Sequence, residues 1–226
     1  MHTVTAHGAE IPALGFGTWE LAPDVAANMV ATVLGQGYRH IDTAQMYKNE
    51  EGVGQGIRDS GVPRDAVFVT TKVWMDWVGE AELEASVQGS LDRLGLDYVD
   101  LVLIHWPNSR VPLEETMPAL DAVKERGMAR HIGVSNFTTH LMGQAMAHAS
   151  QPLAVNQVEY HPFLNQDPVL AACRDNGMAL TAYSPLAQGR VFEDPVLAGI
   201  GAAHGKSGGQ VALRLLGRAG TPTDAE

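Results

Sequence analysis

Short apolar segments alternate with longer amphipathic segments along most of the chain. The apolar segments that predict strands are ALGFGT, RHIDTA, VFVTTK, VDLVLIH, RHIGVSN, AVNQVEY and ALTAYSP. Between them, apolar residues recur every three or four positions, as in Leu83, Val87, Leu91 and Leu94, which is the spacing of one helix face. Strands that are apolar on both faces and alternate with helices predict a parallel sheet with helices outside it.

Glycine follows most of the predicted helices. Gly37, Gly61, Gly95, Gly127 and Gly177 each stand between a helical segment and the next strand. Glycine takes the left-handed conformation that closes a helix more easily than any other residue, so each is predicted to follow a helix C-terminus.

Two architectures fit this alternation, a (β/α)₈ barrel and an open doubly wound sheet. Polar residues decide between them, because they stand at or near the ends of successive strands: Asp42, Lys72, His105, Ser135, Asn136, Gln157, Glu159, Tyr183 and Ser184. A barrel collects chemistry from many strand ends, whereas an open sheet concentrates it at one switch point. We therefore predict a TIM (β/α)₈-type barrel as a single domain over residues 1–226. The segment HTVTAHGAEIPAL alternates and turns at His7-Gly8-Ala9, which predicts a hairpin that plugs the barrel.

Composition narrows the classes of function. The formal net charge of −11 argues against a surface for nucleic acid or anionic lipid. No apolar run approaches the roughly 20 residues that span a bilayer, and the N-terminus has no signal pattern, so a cytoplasmic protein is expected. The single cysteine, Cys173, excludes an internal disulfide, and its apolar neighbours predict a packed helix position.

Three polar residues at predicted strand ends, together with Tyr47 at the corner between the strand RHIDTA and the next helix, suggest a reaction. Taken alone, Asp42 could cap a helix, Lys72 could reach solvent, and His105 and Tyr47 could be ordinary half-buried rings. Together at one barrel mouth they suit the reduction of a carbonyl by hydride, in which negative charge develops on the oxygen. A phenol can donate the proton, an ammonium eases that donation, a carboxylate keeps the ammonium charged, and a neutral imidazole orients the carbonyl.

The motifs that carry these residues resemble those of the aldo-keto reductases. They are, in order, GFGTW, HIDTAQMYKNEEGVG, TKVW, VDLVLIHWP, IGVSNF, NQVEYHPF and AYSPL, and they are most similar to bacterial members of the diketogluconate and methylglyoxal reductase type. The resemblance implies reduction of small aldehydes and ketones by NADPH, with Asp42, Tyr47, Lys72 and His105 as the catalytic set and Tyr47 as the proton donor. It implies no metal.

The same resemblance implies a nicotinamide site. Ser135, Asn136 and Gln157 would bind the carboxamide, and Tyr183 would stack on the ring. The other implied contacts are Ser184 and Leu186 along the pyrophosphate, Thr18 and Trp19 near the nicotinamide, and Trp19, Trp74 and Trp106 around the substrate. An aromatic face and an apolar pocket suit a flat ring and a small carbonyl compound.

The C-terminal segment departs from the family pattern. The last predicted helix ends at Gly220 and is followed only by TPTDAE, so the eighth strand and the segment that grips the adenosine 2′-phosphate are expected to be missing. Seven strands would leave two open barrel edges. Three explanations stay open: a truncated or frameshifted reading, which the short polar tail favours, completion by another subunit, or tolerance of the gap with weaker cofactor binding. A complete chain would be a monomer, whereas open edges would allow association.

Several alternatives to an active reductase were considered. The missing end could silence the barrel and leave a reductase-like binding or interaction protein. GIGAAHGKS lacks a glycine that the phosphate-loop pattern requires and follows a helical run, and GVGQG has the wrong spacing for a dinucleotide fingerprint and falls inside a helix. The nine histidines include no metal-binding pair of the His-x-His or His-Glu-x-x-His type, which argues against a metal-dependent hydrolase.

Overall fold

A computed structural model describes residues 2–225, so the first and last residues of the expected domain lie outside the described residues. The strands are β1 (Thr3–Ala6), β2 (Ala9–Pro12), β3 (Leu14–Gly17), β4 (His40–Asp42), β5 (Phe68–Val73), β6 (Val99–Ile104), β7 (Ala129–Ser135), β8 (Leu153–Glu159), β9 (Ala179–Tyr183) and β10 (Thr223–Ala225). The helices are α1 (Pro23–Gly35), α2 (Glu50–Asp59), α3 (Glu80–Leu94), α4 (Leu113–Glu125), α5 (Thr139–His148), α6 (Asp167–Asp175), α7 (Pro195–Ala203) and α8 (Gly208–Arg218). Short 3₁₀ segments include Gln45–Tyr47 and Met75–Trp77.

The strands β3 to β10 form a closed barrel in the order β10-β3-β4-β5-β6-β7-β8-β9. Every neighbouring pair in it is parallel. The predicted barrel is therefore confirmed, and the strand ends that carry polar residues meet at one mouth. Within residues 2–225, no helix is long and apolar enough to cross a membrane.

The expected absence of the eighth strand is wrong. Thr223–Ala225 forms β10, which pairs with Leu14–Phe16 of β3 and, through Thr223, with Ala182 of β9. Thr223 N–H donates to Ala13 O at 3.1 Å, and Ala182 N–H donates to Pro222 O at 2.8 Å. A strand this short is held by backbone hydrogen bonds to the neighbouring strands β3 and β9. A polar tail without an apolar pattern can therefore form it. The two barrel edges that were expected to be open are paired.

The predicted helix C-termini are confirmed. The five glycines all have positive φ, from 64° at Gly95 to 103° at Gly37. The first, Gly37, follows the end of α1 by two residues, and Gly95 directly caps α3. Each of these five helices thus ends shortly before its glycine, and a barrel strand follows.

The predicted N-terminal hairpin is present at the base of the barrel. Its strands β1 and β2 pair antiparallel from Thr3 to Pro12. Buried Ala6, Ala9 and Ile11 form one cluster with barrel residues that include Phe68 and Leu103. The hairpin therefore fills the lower end of the barrel with apolar side chains.

Close helix packing accounts for the GVGQG segment, which lies inside α2 as predicted. A Cβ atom at Gly52 would overlap the backbone of Pro23, the first residue of α1, and one at Gly54 would overlap the carbonyl of Leu94 in α3. These glycines let α2 approach both neighbouring helices closely, so the segment has a packing role.

Replacing Gly54 with alanine should destabilise the fold. The added methyl group would meet backbone atoms of Leu94, which cannot rotate away, and we expect a loss of about 2 kcal/mol or more in the free energy of unfolding. Gly143→Ala is the matched control, because Gly143 lies inside α5 with nothing within 4 Å of the new methyl group. The control should be neutral or stabilising by up to about 1 kcal/mol. Urea unfolding of both variants measures the difference, and equal stabilities would contradict the packing role.

Candidate functional site

Four polar side chains meet at the barrel mouth. Asp42 ends β4, Lys72 lies near the end of β5, and His105 directly follows β6. Tyr47 ends the 3₁₀ turn Gln45–Tyr47 between β4 and α2. The structure thus brings together all four residues of the predicted catalytic set, although three strands and one turn supply them.

Lys72 is the centre of this group. It is 1% exposed and forms an ion pair with Asp42 Oδ1. Its Nζ also donates to Thr43 O and to the Tyr47 hydroxyl, both at 3.1 Å. An ammonium has three donors and no acceptor, so the tyrosine oxygen accepts here and keeps its own hydrogen as a donor. Lys72 Nζ also lies 4.9 Å from the centroid of the Tyr47 ring.

The carboxylate of Asp42 is held from two sides. Its Oδ1 accepts from Lys72, and its Oδ2 accepts from Gln157 Nε2 at 2.8 Å. Asp42 itself is 3% exposed. Since Gln157 comes from β8, this bond crosses the barrel and fixes the carboxylate against rotation. Gln157 was predicted only as a cofactor contact, and its bond to Asp42 was not predicted.

His105 is a neutral imidazole. Its ring lies edge-on to Tyr47, with centroids 5.7 Å apart, and edge-on to Trp74, with centroids 5.4 Å apart. Burial, and secondarily the charge of Lys72, lower the pKa of His105 to about 3. Its buried Nδ1 has no hydrogen-bond partner among the described residues. A neutral ring offers one N–H donor, which can orient a carbonyl oxygen.

A cavity of about 300 Å³ lies above these groups. Its lining residues are Trp19, Met46, Tyr47, Trp74, His105, Trp106, Ser135, Asn136, Gln157, Glu159, Tyr183, Ser184 and Gln188. The three predicted tryptophans are among them. Met46, Glu159 and Gln188 were not predicted to line it, although Met46 stands next to Tyr47 in the motif HIDTAQMYKNEEGVG and Glu159 stands at a strand end. Gln188, with φ of 52°, lies in an irregular loop that strand and helix periodicity does not describe.

One wall of the cavity combines polar groups with an aromatic ring that is held in place. Tyr183 O–H donates to Asn136 Oδ1 at 3.0 Å, which fixes its ring. Asn136 Nδ2 donates to Ser135 Oγ at 3.1 Å and to His105 O at 3.0 Å. The predicted nicotinamide site would need hydrogen-bonding groups for the carboxamide and a flat surface for the ring. A hydroxyl and side-chain amides beside the fixed Tyr183 ring are groups of these kinds.

Two predicted cofactor residues turn their side chains elsewhere. Thr18 is fully buried, and its hydroxyl donates to Asp42 O at 3.0 Å, which ties β3 to β4. Leu186 packs against Ala187 and Val191 in a small apolar cluster. Neither side chain lines the cavity, so a contact from either residue would have to come from its backbone. Ser184 does line the cavity.

Other reactive groups give no competing site. Cys173 is buried in α6, and burial raises the pKa of its thiol to about 12, so it is a packed side chain as predicted. In the part of the chain that the structure describes, no cluster of His, Cys, Asp or Glu could hold a metal ion.

The fold and the clustered groups at its mouth define a barrel enzyme of the (β/α)₈ class. The Aldo/keto reductase family model matches residues 13–214, and the chain belongs to this family. It is therefore an oxidoreductase of carbonyl compounds, in a family that generally uses NAD(P)H.

Three relatives illustrate the similarity. The chain is 45% identical to methylglyoxal reductase DkgB of Escherichia coli O157:H7 over 206 residues, which cover 90% of this chain and 77% of that protein. It is 44% identical to glyoxal reductase of Bacillus subtilis (strain 168) over 214 residues, covering 94% and 77%. A crystal structure of a protein provisionally named 2,5-diketo-D-gluconic acid reductase B superposes with a TM-score of 0.98 at 47% identity, covering 100% and 81%.

The depressed pKa of His105 makes stability depend on pH. Between about pH 3 and the ordinary value of 6.5, the unfolded chain binds a proton at this residue that the folded chain does not. The free energy of unfolding should therefore fall as pH falls below about 6.5, by up to about 1.4 kcal/mol per pH unit from His105. His105→Gln removes this contribution and should lose less stability than the native protein between pH 6.5 and 5. Urea unfolding at both pH values tests this, and equal losses would contradict a neutral His105.

Proposed function

We propose that this protein reduces small aldehydes and ketones to alcohols by hydride transfer from NADPH, with Tyr47 as the proton donor. The observation that carries the proposal is the chain of contacts from Asp42 through Lys72 to the Tyr47 hydroxyl. The family and the activities in the relatives' names support the reaction class. NADPH, as opposed to NADH, follows the family resemblance.

Charge development explains what each group would do. The bound cofactor would supply the hydride, and the carbonyl oxygen would become negative as it arrives. Tyr47 would give its proton to that oxygen, and the positive charge of Lys72 would stabilise the phenolate left behind. Asp42 keeps the buried ammonium ionised, because an unpaired charge in this position would be costly.

His105 and the aromatic walls would orient the substrate. A neutral imidazole can donate one hydrogen bond to the carbonyl oxygen without competing with Tyr47 for the proton. Trp74 packs edge-on to His105, and Trp19 and Trp106 line the same cavity at 40% and 42% exposure. With a substrate bound, these walls would shield the reacting oxygen from part of the solvent, which would strengthen each electrostatic contact.

The cavity favours neutral substrates. Glu159 is the one residue among those lining it that carries a formal charge at neutral pH, with His105 neutral. Its carboxylate lies 3.1 Å from His161 Nε2 and remains half exposed. Methylglyoxal and glyoxal, which the names of two relatives contain, are neutral, whereas a gluconate derivative carries a carboxylate. We therefore propose a neutral oxoaldehyde as the preferred substrate class.

Tyr47→Phe should abolish aldehyde reduction. The change removes the proton donor and keeps the ring that packs against His105, so we expect kcat to fall by at least about 100-fold. The Kd for NADPH, measured by fluorescence titration, should change less than about twofold, since the phenol is not a major part of cofactor binding in this scheme.

Lys72→Met should also stop turnover, with a loss of stability because Asp42 loses its partner.

Two measurements on the native protein, NADPH binding and turnover, decide between the reductase and a binding or interaction protein. Saturable quenching of NADPH fluorescence together with turnover of methylglyoxal supports the reductase. Little or no saturable quenching and no turnover would instead favour a reductase-like binding or interaction protein. Turnover that survives in Tyr47→Phe would reject Tyr47 as the donor while leaving the reaction class intact.

Glu159→Gln should weaken discrimination against anionic aldehydes. Methylglyoxal and glyoxylate are a matched pair, because an oxygen anion in one replaces a methyl group in the other. The native protein should favour methylglyoxal in kcat/KM, and the variant should narrow this ratio by a few-fold, since a single partly exposed charge contributes about 1 kcal/mol or less. Glu51→Gln, which makes the same change of net charge on the exposed face of α2 outside this cavity, should leave the ratio unchanged. A ratio that stays the same in Glu159→Gln would remove the charge argument.

A further inference from the structure

The side-chain amide of Gln45 joins the tyrosine turn to two other segments of the barrel mouth. Its Oε1 accepts from the backbone N–H of Trp74 at 2.9 Å, just beyond β5. Its Nε2 donates to Ser86 Oγ at 2.7 Å and lies 3.1 Å from both Ser86 O and Ser90 Oγ on α3. One side chain thus connects the segments that carry Tyr47 and Trp74 and anchors both to a long helix.

In the part of the chain that the structure describes, the outer side of this turn is largely open to solvent. Met46 is 48% exposed, and Lys48 is exposed and left-handed, with φ of 56°. The turn Gln45–Tyr47 has no side-chain cap. Beside it lies an open groove of about 720 Å³ between α2 and α3, lined in part by Gln45, Lys48 and Trp77. Because packing on this side is sparse, the hydrogen bonds of Gln45 are the contacts best placed to fix the turn.

The anchored segments determine the spacing of the reacting groups. Tyr47 and Trp74 pack edge-on against His105 from two directions, with centroid distances of 5.7 and 5.4 Å. A shift of the turn would move the Tyr47 hydroxyl relative to Lys72, whereas a shift at Trp74 would move the cavity wall. Misplacement by about 1 Å can reduce a rate on the order of 100-fold.

We propose that Gln45 is a positioning residue for proton donation, which it supports by fixing the Tyr47 turn against Trp74 and α3. The proposal rests on the proposed role of Tyr47 as the donor. Gln45 does not line the substrate cavity, so it acts through Tyr47 and Trp74 and has no contact with substrate of its own.

Gln45→Met tests the proposal, because methionine has similar length and lacks both the amide donor and the amide acceptor. We expect kcat for methylglyoxal to fall on the order of tenfold or more, with the Kd for NADPH within about twofold of the native value. Gln88→Met is the matched control, since Gln88 is an exposed residue on α3 whose amide bonds only Asp92 among the hydrogen bonds described. The control should keep native kcat.

Gln45→Glu separates positioning from general structure. A carboxylate can still accept from Trp74 N–H, and the two serine hydroxyls can turn to donate to it, whereas its second oxygen would face the carbonyl of Ser86. The variant should therefore recover part of the lost kcat. Exchange of the Trp74 amide hydrogen, followed by NMR, should accelerate in Gln45→Met and stay near native in Gln45→Glu. If Gln45→Met does not fold, Ser86→Ala removes one of the same bonds and should give a smaller loss of kcat in the same direction.

The outcomes distinguish this inference from the proposed function. Native kcat in Gln45→Met, or losses in Gln45→Glu as large as those in Gln45→Met, would overturn the positioning role while leaving the reductase activity standing. Absence of turnover in the native protein would overturn the proposed function, and the positioning role with it. A low kcat with a native NADPH Kd, accelerated Trp74 exchange and recovery in Gln45→Glu would support both.

Discussion

The ion pair between Lys72 and Asp42 is the interaction on which the barrel mouth depends. Both groups are nearly inaccessible to water, and isolated charges in such a place would cost several kcal/mol each. The structure meets this cost with a full set of partners, since Thr43 O and Tyr47 share the ammonium and Gln157 holds the other carboxylate oxygen. Removing one partner would expose the other to the whole desolvation penalty, so the pair constrains the entire corner.

Closure of the barrel makes such a pair feasible. Asp42 and Lys72 come from neighbouring strands, but Gln157 approaches from β8 on another part of the wall. An open sheet would leave these side chains in separate, wetter surroundings, in which the attraction between them would be weaker. The short strand β10 therefore matters beyond its length, because it joins β9 to β3 and completes the wall around the charges.

The sequence predicted the strand ends and their polar residues well, because periodicity and glycine positions are local signals that survive folding. Asp42, Tyr47, Lys72 and His105 were accordingly found together. Residues whose roles depend on distant partners were not: β10 is defined by the edges of β3 and β9, and Gln157 reaches Asp42 across 115 positions. The direction of the Gln45 side chain could not be predicted either. A 3₁₀ turn of three residues is too short for a hydrophobic period that would show which side chains point inward.

The hairpin at the base makes the two ends of the barrel different. Ala6, Ala9 and Ile11 close the lower end with carbon atoms, and His7 Nε2 lies 2.9 Å from the carbonyl of Asn176 outside the barrel wall. These apolar side chains separate the floor of the barrel from the mouth, where the buried ion pair lies. In the proposed reaction, the mouth that admits the substrate would also be the side from which the donated proton is replaced.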